Sequence, residues 1–171
     1  MTGLDGLNGL ADDDAARALL ACCASRSWVR DVVGGRPYPC LGALLAASDA
    51  AVARLSEDDL REALAGHPRI GDRRAAGESG AAPVSAQWSS QEQAGISGAD
   101  AEMRDALADG NARYEARFSH IYLACATGRS ASELLAFLRE RLDNDRGTEW
   151  GVVAAELTKI NQIRLRKLIG S

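Results

Sequence analysis

His67 is one of only two histidines in the chain. It follows Gly66 at what reads as a helix end and precedes Pro68, whose ring fixes the backbone and cannot continue a helix. A side chain there is held by a stiff turn. An unperturbed imidazole titrates near pH ~6.5, suited to general acid–base work. A surface histidine at a helix terminus would have the same surroundings in sequence. Glu92 stands in Ser89-Ser90-Gln91-Glu92-Gln93. On a short helix, Ser89, Glu92 and Gln93 are neighbours at i, i+3 and i+4. That puts a hydroxyl, a carboxylate and an amide on one face, a set suited to a small nitrogen-rich ligand. The same letters also spell a capping box, Ser89-x-x-Glu92, which needs no ligand.

Arg164 has the most telling position. On the last helix Trp150, Val153, Leu157, Ile160 and Leu168 project within one apolar stripe at ~100° per residue, and Arg164 falls inside it. A guanidinium facing a core must be paired, must snorkel or must await an anion. Its bidentate fork matches a carboxylate. A structural pair with an internal Glu or Asp is the alternative. The other histidine, His120, lies beside an apolar run and reads as a satisfied core or helix-end residue. No metal site is expected: the histidines are far apart, and neither H-E-x-x-H nor paired cysteines occur. The nucleotide-binding glycine motifs G-x-x-x-x-G-K-[ST] and G-x-G-x-x-G do not occur either.

The elements that must position these groups are helical. The chain is rich in Ala, Leu, Arg and Glu and poor in β-branched or aromatic runs. Asp12 to Ala24 reads as a first helix with acidic residues in its first turn. A short segment around Trp28 to Val33 ends at Gly34-Gly35, and Pro37 and Pro39 keep the next stretch extended. Leu41 to Arg54 is helical. Ser56 caps a helix over Glu57 to Ala65, with Asp59 in the box position. From His67 to Ser97, Gly and Pro break any long helix, and only a short one around Ser89 to Ala94 is expected. A loop of that length in a compact domain points to function. Ala99 to Phe118 is a long helix with Met103, Leu107, Tyr114 and Phe118 at helical spacing. Ile121 to Ala126 reads as a buried connector and not a strand. Ser130-x-x-Glu133 caps Ala131 to Leu142, and Thr148 opens a last helix running to about Ile169. The expectation is one all-α domain, a helical bundle over residues 1–171.

Size and charge agree. A chain of 171 residues suffices for a single sizeable core. Hydrophobic residues are 46% and charged ones 26%, an ordinary globular balance that leaves disorder only to a short N-terminal tail. The net charge of -4, with arginines scattered, argues against a nucleic-acid partner. No run of apolar residues is long enough for a membrane span. The start, MTGLDGLNGLADDD, lacks the features of a secretory signal, and Leu168-Ile169-Gly170-Ser171 is no peroxisomal tripeptide. Cytoplasm is the default expectation. Adjacent Cys22 and Cys23 with isolated Cys40 and Cys125 read as small buried thiols in a reducing compartment.

Taken in order, certain segments resemble the decarboxylase family for 2-oxo-4-hydroxy-4-carboxy-5-ureidoimidazoline, abbreviated OHCU. They are Gly66-His67-Pro68-Arg69-Ile70-Gly71, Ser89 to Gln93 with Ala94-Gly95, and Asn111-Ala112-Arg113-Tyr114 with Phe118. Gly128-Arg129-Ser130, Glu133-Leu134-Leu135, Arg141-Leu142, Asn144-Asp145, Glu156, Lys159-Ile160 and Arg164-Leu165 follow. The resemblance runs over nearly the whole length. It implies an all-helical homodimer without metal or organic cofactor, a carboxy-lyase converting OHCU to (S)-allantoin in uric acid breakdown. It assigns catalysis to His67 and its partner Glu92. Substrate contacts fall to Pro68, to Ser89 through Gln93, to Arg164, and to backbone in the Ile121 to Cys125 run, at Ile121, Leu123 and Cys125. One departure concerns that run: the family tends to have Phe-Gly and an aromatic before it, whereas Phe118 here is followed by Ser119 and His120. At the level of residues two other classes remain open. A helical interaction module would make Arg164 a structural ion pair. A ureide hydrolase or racemase would in most cases need a metal.

Overall fold

The computed structural model describes residues 3–71, 83–96 and 98–170, with the backbone alone at Pro83. The expected break in structure after Gly71 lies largely outside these residues. Every regular element among them is helical. In chain order they are α1 (Gly3–Asn8), α2 (Asp12–Leu20), α3 (Arg26–Gly34), α4 (Leu41–Val52), α5 (Glu57–Leu64), α6 (Pro83–Glu92), a 3-10 turn at Ala94–Ile96, α7 (Ala101–Phe118), α8 (Ala131–Arg141) and α9 (Arg146–Ile169). No helix among the described residues is long and apolar enough to cross a membrane. The fold falls into two compact units, Met1–Ala63 with Leu157–Ser171, and Leu64–Glu156.

In the first unit α2 packs on α3 and α3 on α4. Ser25 starts α3 by accepting the Trp28 N–H at 3.3 Å. The Trp28 indole then donates to Ser48 on α4, at 3.2 Å to the hydroxyl and 3.3 Å to the carbonyl. Because Ser25 must cap, residues 21–24 form the turn before it. The first helix therefore ends at Leu20 and not at Ala24, with the Cys22 and Cys23 amides closing on the Leu19 carbonyl. The expected N-terminal tail is instead helix α1. Leu7 on it is wholly buried. Arg36 donates to the Leu7 and Leu10 carbonyls at 2.8 and 2.9 Å, and Asn8 exchanges two hydrogen bonds with the Tyr38 backbone at 2.9 Å each. The capping box expected at Ser56 and Asp59 is present in both directions. None of the four cysteines is in a disulfide, and Cys40, at the exposed start of α4, is not buried.

The second unit is built on α7 packed against α8, with Ile70, Leu107, Tyr114, Phe118, Tyr122, Leu134 and Leu138 in its core. Ser130 and Glu133 form the expected capping box. Ser119 ends α7 in the left-handed region at φ 63°, its N–H on the Glu115 carbonyl at 2.8 Å. Residues 121–126 then run without helix or strand, and Tyr122 to Ala126 are buried, as expected. Helix α6 begins at Pro83, well before the expected Ser89. Proline suits a helix's first turn, and reading it only as a breaker hid the start. The last helix begins at Arg146, with Asp145 accepting the Thr148 N–H at 2.9 Å. Its first half belongs to the second unit and its second half to the first.

Candidate active site

In the second unit His67 is buried (8% exposed) at the turn after α5, its N–H on the Leu64 carbonyl at 3.0 Å. Pro68 beside it is half-buried. Side chains fasten the loop that follows. Asn111 on α7 donates to the Ile70 carbonyl at 2.9 Å. Arg69 grips Glu115 with two hydrogen bonds at 2.6 and 2.8 Å. Gln93, just past α6, accepts the Gly71 N–H at 3.0 Å and donates to the Arg69 carbonyl at 3.4 Å. Gly71 adopts φ +83°, which an L side chain would resist. The amide of Gln93, expected to meet substrate, thus also ties the His67 loop to the end of α6.

Helix α6 supplies the carboxylate. Ser85, Ser89 and Glu92 are all buried, and their i, i+4, i+7 spacing places them on one face. Ser89 sits inside the helix, so the alternative of a Ser89-x-x-Glu92 capping box does not form. Ser85 escaped the sequence reading because its half of the helix was not expected. Gly95, three residues past Glu92, is forced by close approach: a Cβ there would stand 2.5 Å from the Arg129 carbonyl oxygen.

The extended run follows α7. Leu123 and Cys125 are buried and Ile121 is half-buried. The Leu123 carbonyl accepts from Arg141 at 2.5 Å, and the Cys125 N–H donates to Glu156 at 2.9 Å. Burial pushes the Cys125 thiol up, the Thr127 N–H pulls the other way, and the charges of Glu156 and Glu92 add to the rise. Arg141 is itself buried, bonded to Glu149 at 2.6 and 2.9 Å and to the Tyr114 hydroxyl at 3.2 Å, and Tyr114 donates to Glu149. Burial works against the Arg141 charge, but the Glu149 bonds together with the charges of Tyr114, Glu149 and Tyr122 outweigh it and raise its pKa. This network was not expected from the sequence. Its signal was present: Glu149, Val153, Glu156 and Ile160 recur at helical spacing on α9. His120 is packed as expected, stacked on Trp150 with ring centroids 4.2 Å apart.

Arg164 lies in the first unit and is 1% exposed, as its place in the apolar stripe required, while Leu168 on that stripe is half-buried. It donates to the Cys22 carbonyl at 3.4 Å. Burial lifts the neighbouring Cys23 thiol to about 11, against the pull of the Ser25 N–H, Asn161 and Arg164. Among the described residues no group of three or more His, Cys, Asp or Glu side chains is placed to hold a metal ion.

Residues 8–166 match the family model described as OHCU decarboxylase. The uric acid degradation bifunctional protein TTL of Arabidopsis thaliana is 28% identical over 147 residues, covering 86% of this chain and 45% of that protein. The 2-oxo-4-hydroxy-4-carboxy-5-ureidoimidazoline decarboxylase of Amia calva is 35% identical over 79 residues, 46% of this chain and 45% of that one. The chain thus spans under half the length of these relatives. A crystal structure of OHCU decarboxylase in the presence of (S)-allantoin shares the fold at a TM-score of 0.76 and 24% identity, covering 95% of this chain and 100% of that one. A crystal structure of (S)-allantoin synthase does so at 0.72 and 17%, covering 98% and 54%. From the match over residues 8–166, this chain belongs to the OHCU decarboxylase family.

Proposed function

We propose that this chain decarboxylates OHCU to (S)-allantoin in uric acid breakdown, with His67 and Glu92 as catalytic residues. The family match over residues 8–166 carries the reading. The buried Glu92, sharing a helix face with the buried Ser89, supports its placing.

OHCU bears its carboxylate on a carbon that also carries a hydroxyl and adjoins a ring C=N. When the C–carboxylate bond breaks, the electron pair moves into the imine, so the substrate is its own electron sink. One net proton is taken up as the hydroxyl-bearing carbon becomes a carbonyl and the ureido-bearing carbon gains hydrogen. The protein's tasks are positioning, charge stabilisation and proton delivery to one face. In this scheme Arg164 orients the ring or its anionic groups, and Glu92 holds ureido and ring N–H groups and fixes the protonation state of His67. His67 exchanges a proton with the hydroxyl as CO₂ leaves, then helps protonate the ureido-bearing carbon. Pro68, Ser89, Gln93 and the backbone at Ile121, Leu123 and Cys125 complete the substrate contacts. A cytoplasmic homodimer working without metal or organic cofactor is part of the same proposal.

The test supplies freshly made OHCU and follows allantoin handedness by circular dichroism, beside a control without enzyme because OHCU decays spontaneously. Expected are accelerated CO₂ release and excess (S)-allantoin. Racemic product at the spontaneous rate would sink the proposal.

A further inference from the structure

Helix α9 carries two buried carboxylates, Glu149 at 0% and Glu156 at 2% exposure. At i and i+7 they lie on one helix face, about 10 Å apart along the axis. Both act on the same short run of backbone. Glu149 holds Arg141, whose Nη1 donates to the Leu123 carbonyl, and Glu156 accepts the Cys125 N–H directly. Residues i and i+2 of an extended chain are about 6.6 Å apart, and the long Arg141 side chain takes up the difference. The run, itself neither helix nor strand, thus has one carbonyl fixed by Arg141 and one amide fixed by Glu156.

Satisfying one N–H does not require a charge. A neutral amide would serve, whereas a buried carboxylate bears a desolvation cost. What the charge adds is a shorter, stronger and more directional bond. The Arg129 guanidinium stands 3.5 Å from the same Glu156 oxygen that holds Cys125. The Arg129 carbonyl in turn abuts Gly95, just beyond Glu92. Glu156 therefore joins the run to the segment carrying the candidate catalytic carboxylate.

We propose that Glu156 is a positioning residue for the decarboxylation: it fixes the Cys125 amide and so sets the register of the Ile121 to Cys125 backbone against the substrate. Arg141 and Glu149 form the stationary half of the clamp. The inference rests on the proposed function and on its assignment of that backbone to the substrate.

Glu156→Asp keeps the charge but withdraws the acceptor by one methylene, whereas Glu156→Gln keeps an acceptor in place without the charge. Steady-state rates on freshly made OHCU and thermal melts of the full chain separate the roles. Expected is a KM raised about tenfold to 10²-fold in Glu156→Asp with a smaller change in kcat. In Glu156→Gln the KM should return most of the way to wild type. Lower melting temperatures with unchanged KM in both variants would leave Glu156 a purely structural residue and overturn the inference. In wild type, amide hydrogen exchange checks the clamp without any variant. The Cys125 amide should exchange slowly, and exchange as fast as at exposed Thr127 would overturn it too. Wild type that does not outpace spontaneous OHCU decay refutes the proposed function itself. Active wild type with normal KM in Glu156→Asp refutes only the role of Glu156.

Discussion

The side-chain amide of Gln93 accepts the main-chain N–H of Gly71 at 3.0 Å. It thereby fastens the loop carrying His67 to the end of the helix carrying Glu92. Gln93→Leu removes this bond and the one to the Arg69 carbonyl. Losing the partner of a partly buried N–H costs about 1–3 kcal/mol. We expect a lower melting temperature and a fall in kcat/KM larger than the stability loss explains at a temperature where the variant is folded. Normal kcat/KM in that variant would show that Asn111 and Arg69 hold the loop unaided.

His67→Ala should fold, because the turn is set by Pro68 and by the Asn111 and Gln93 bonds farther along, not by the imidazole. Turnover should fall by about 10²–10⁴, the usual worth of general acid–base help. Circular dichroism of the protein and initial rates on OHCU check both halves. Wild-type kcat would remove His67 from the chemistry.

Ser119 closes α7 at φ 63°, a conformation an L residue adopts at a cost that glycine escapes. Glycine in place of Ser119 would adopt this conformation without that cost. Ser119→Gly relieves the strain while loosening the unfolded chain, for a net gain of about 0.5–1 kcal/mol. Denaturant melts should show a higher midpoint with the same slope. A lower midpoint would mean the serine side chain contributes more than its backbone costs.

Three helix-start carboxylates are held below their ordinary pKa. Asp59 is lowered by the Ser27 and Ser56 hydroxyls, Glu133 by the Ser130 N–H and hydroxyl, and Asp145 by the Thr148 hydroxyl and N–H. A depressed folded pKa stabilises above the unfolded value, and the gain disappears as pH falls through the folded one. Stability should therefore hold at pH 5 and decline below about pH 4, the unfolded carboxylate range. Replacing all three by Asn or Gln should flatten that decline in acid titrations followed by circular dichroism. An unchanged slope would place acid sensitivity elsewhere.

Local rules were legible wherever the deciding contacts lie close in sequence. Ser56 with Asp59 and Ser130 with Glu133 cap the helices they were expected to cap. Arg164, read from the apolar stripe, is buried, and Ile121 to Ala126 is a connector. Features decided by distant partners were not legible. Helix α1 depends on Arg36 and Tyr38, far along the chain. Glu149 and Glu156 share the helical spacing of the apolar residues on α9, but their partners, Arg141 and the Cys125 amide, lie elsewhere in the chain and are not given by that spacing. The burial of His67, Ser89 and Glu92 agrees with a site, but the bonds of Gln93 to Gly71 and Arg69 could not be read from their spacing.

The first unit has a consequence for how the chain is made. It is discontinuous, taking residues 1–63 and then 157–171, while residues 64–156 form one uninterrupted stretch. The ribosome delivers residues in order, so the N-terminal helices emerge long before the segment that completes their packing. Until that segment arrives, the Cys22 carbonyl lacks Arg164 and the Asp49 carboxylate lacks the Gln162 amide that bonds it at 2.8 Å. A stop codon ahead of Leu157 would thus injure the beginning of the protein more than its middle.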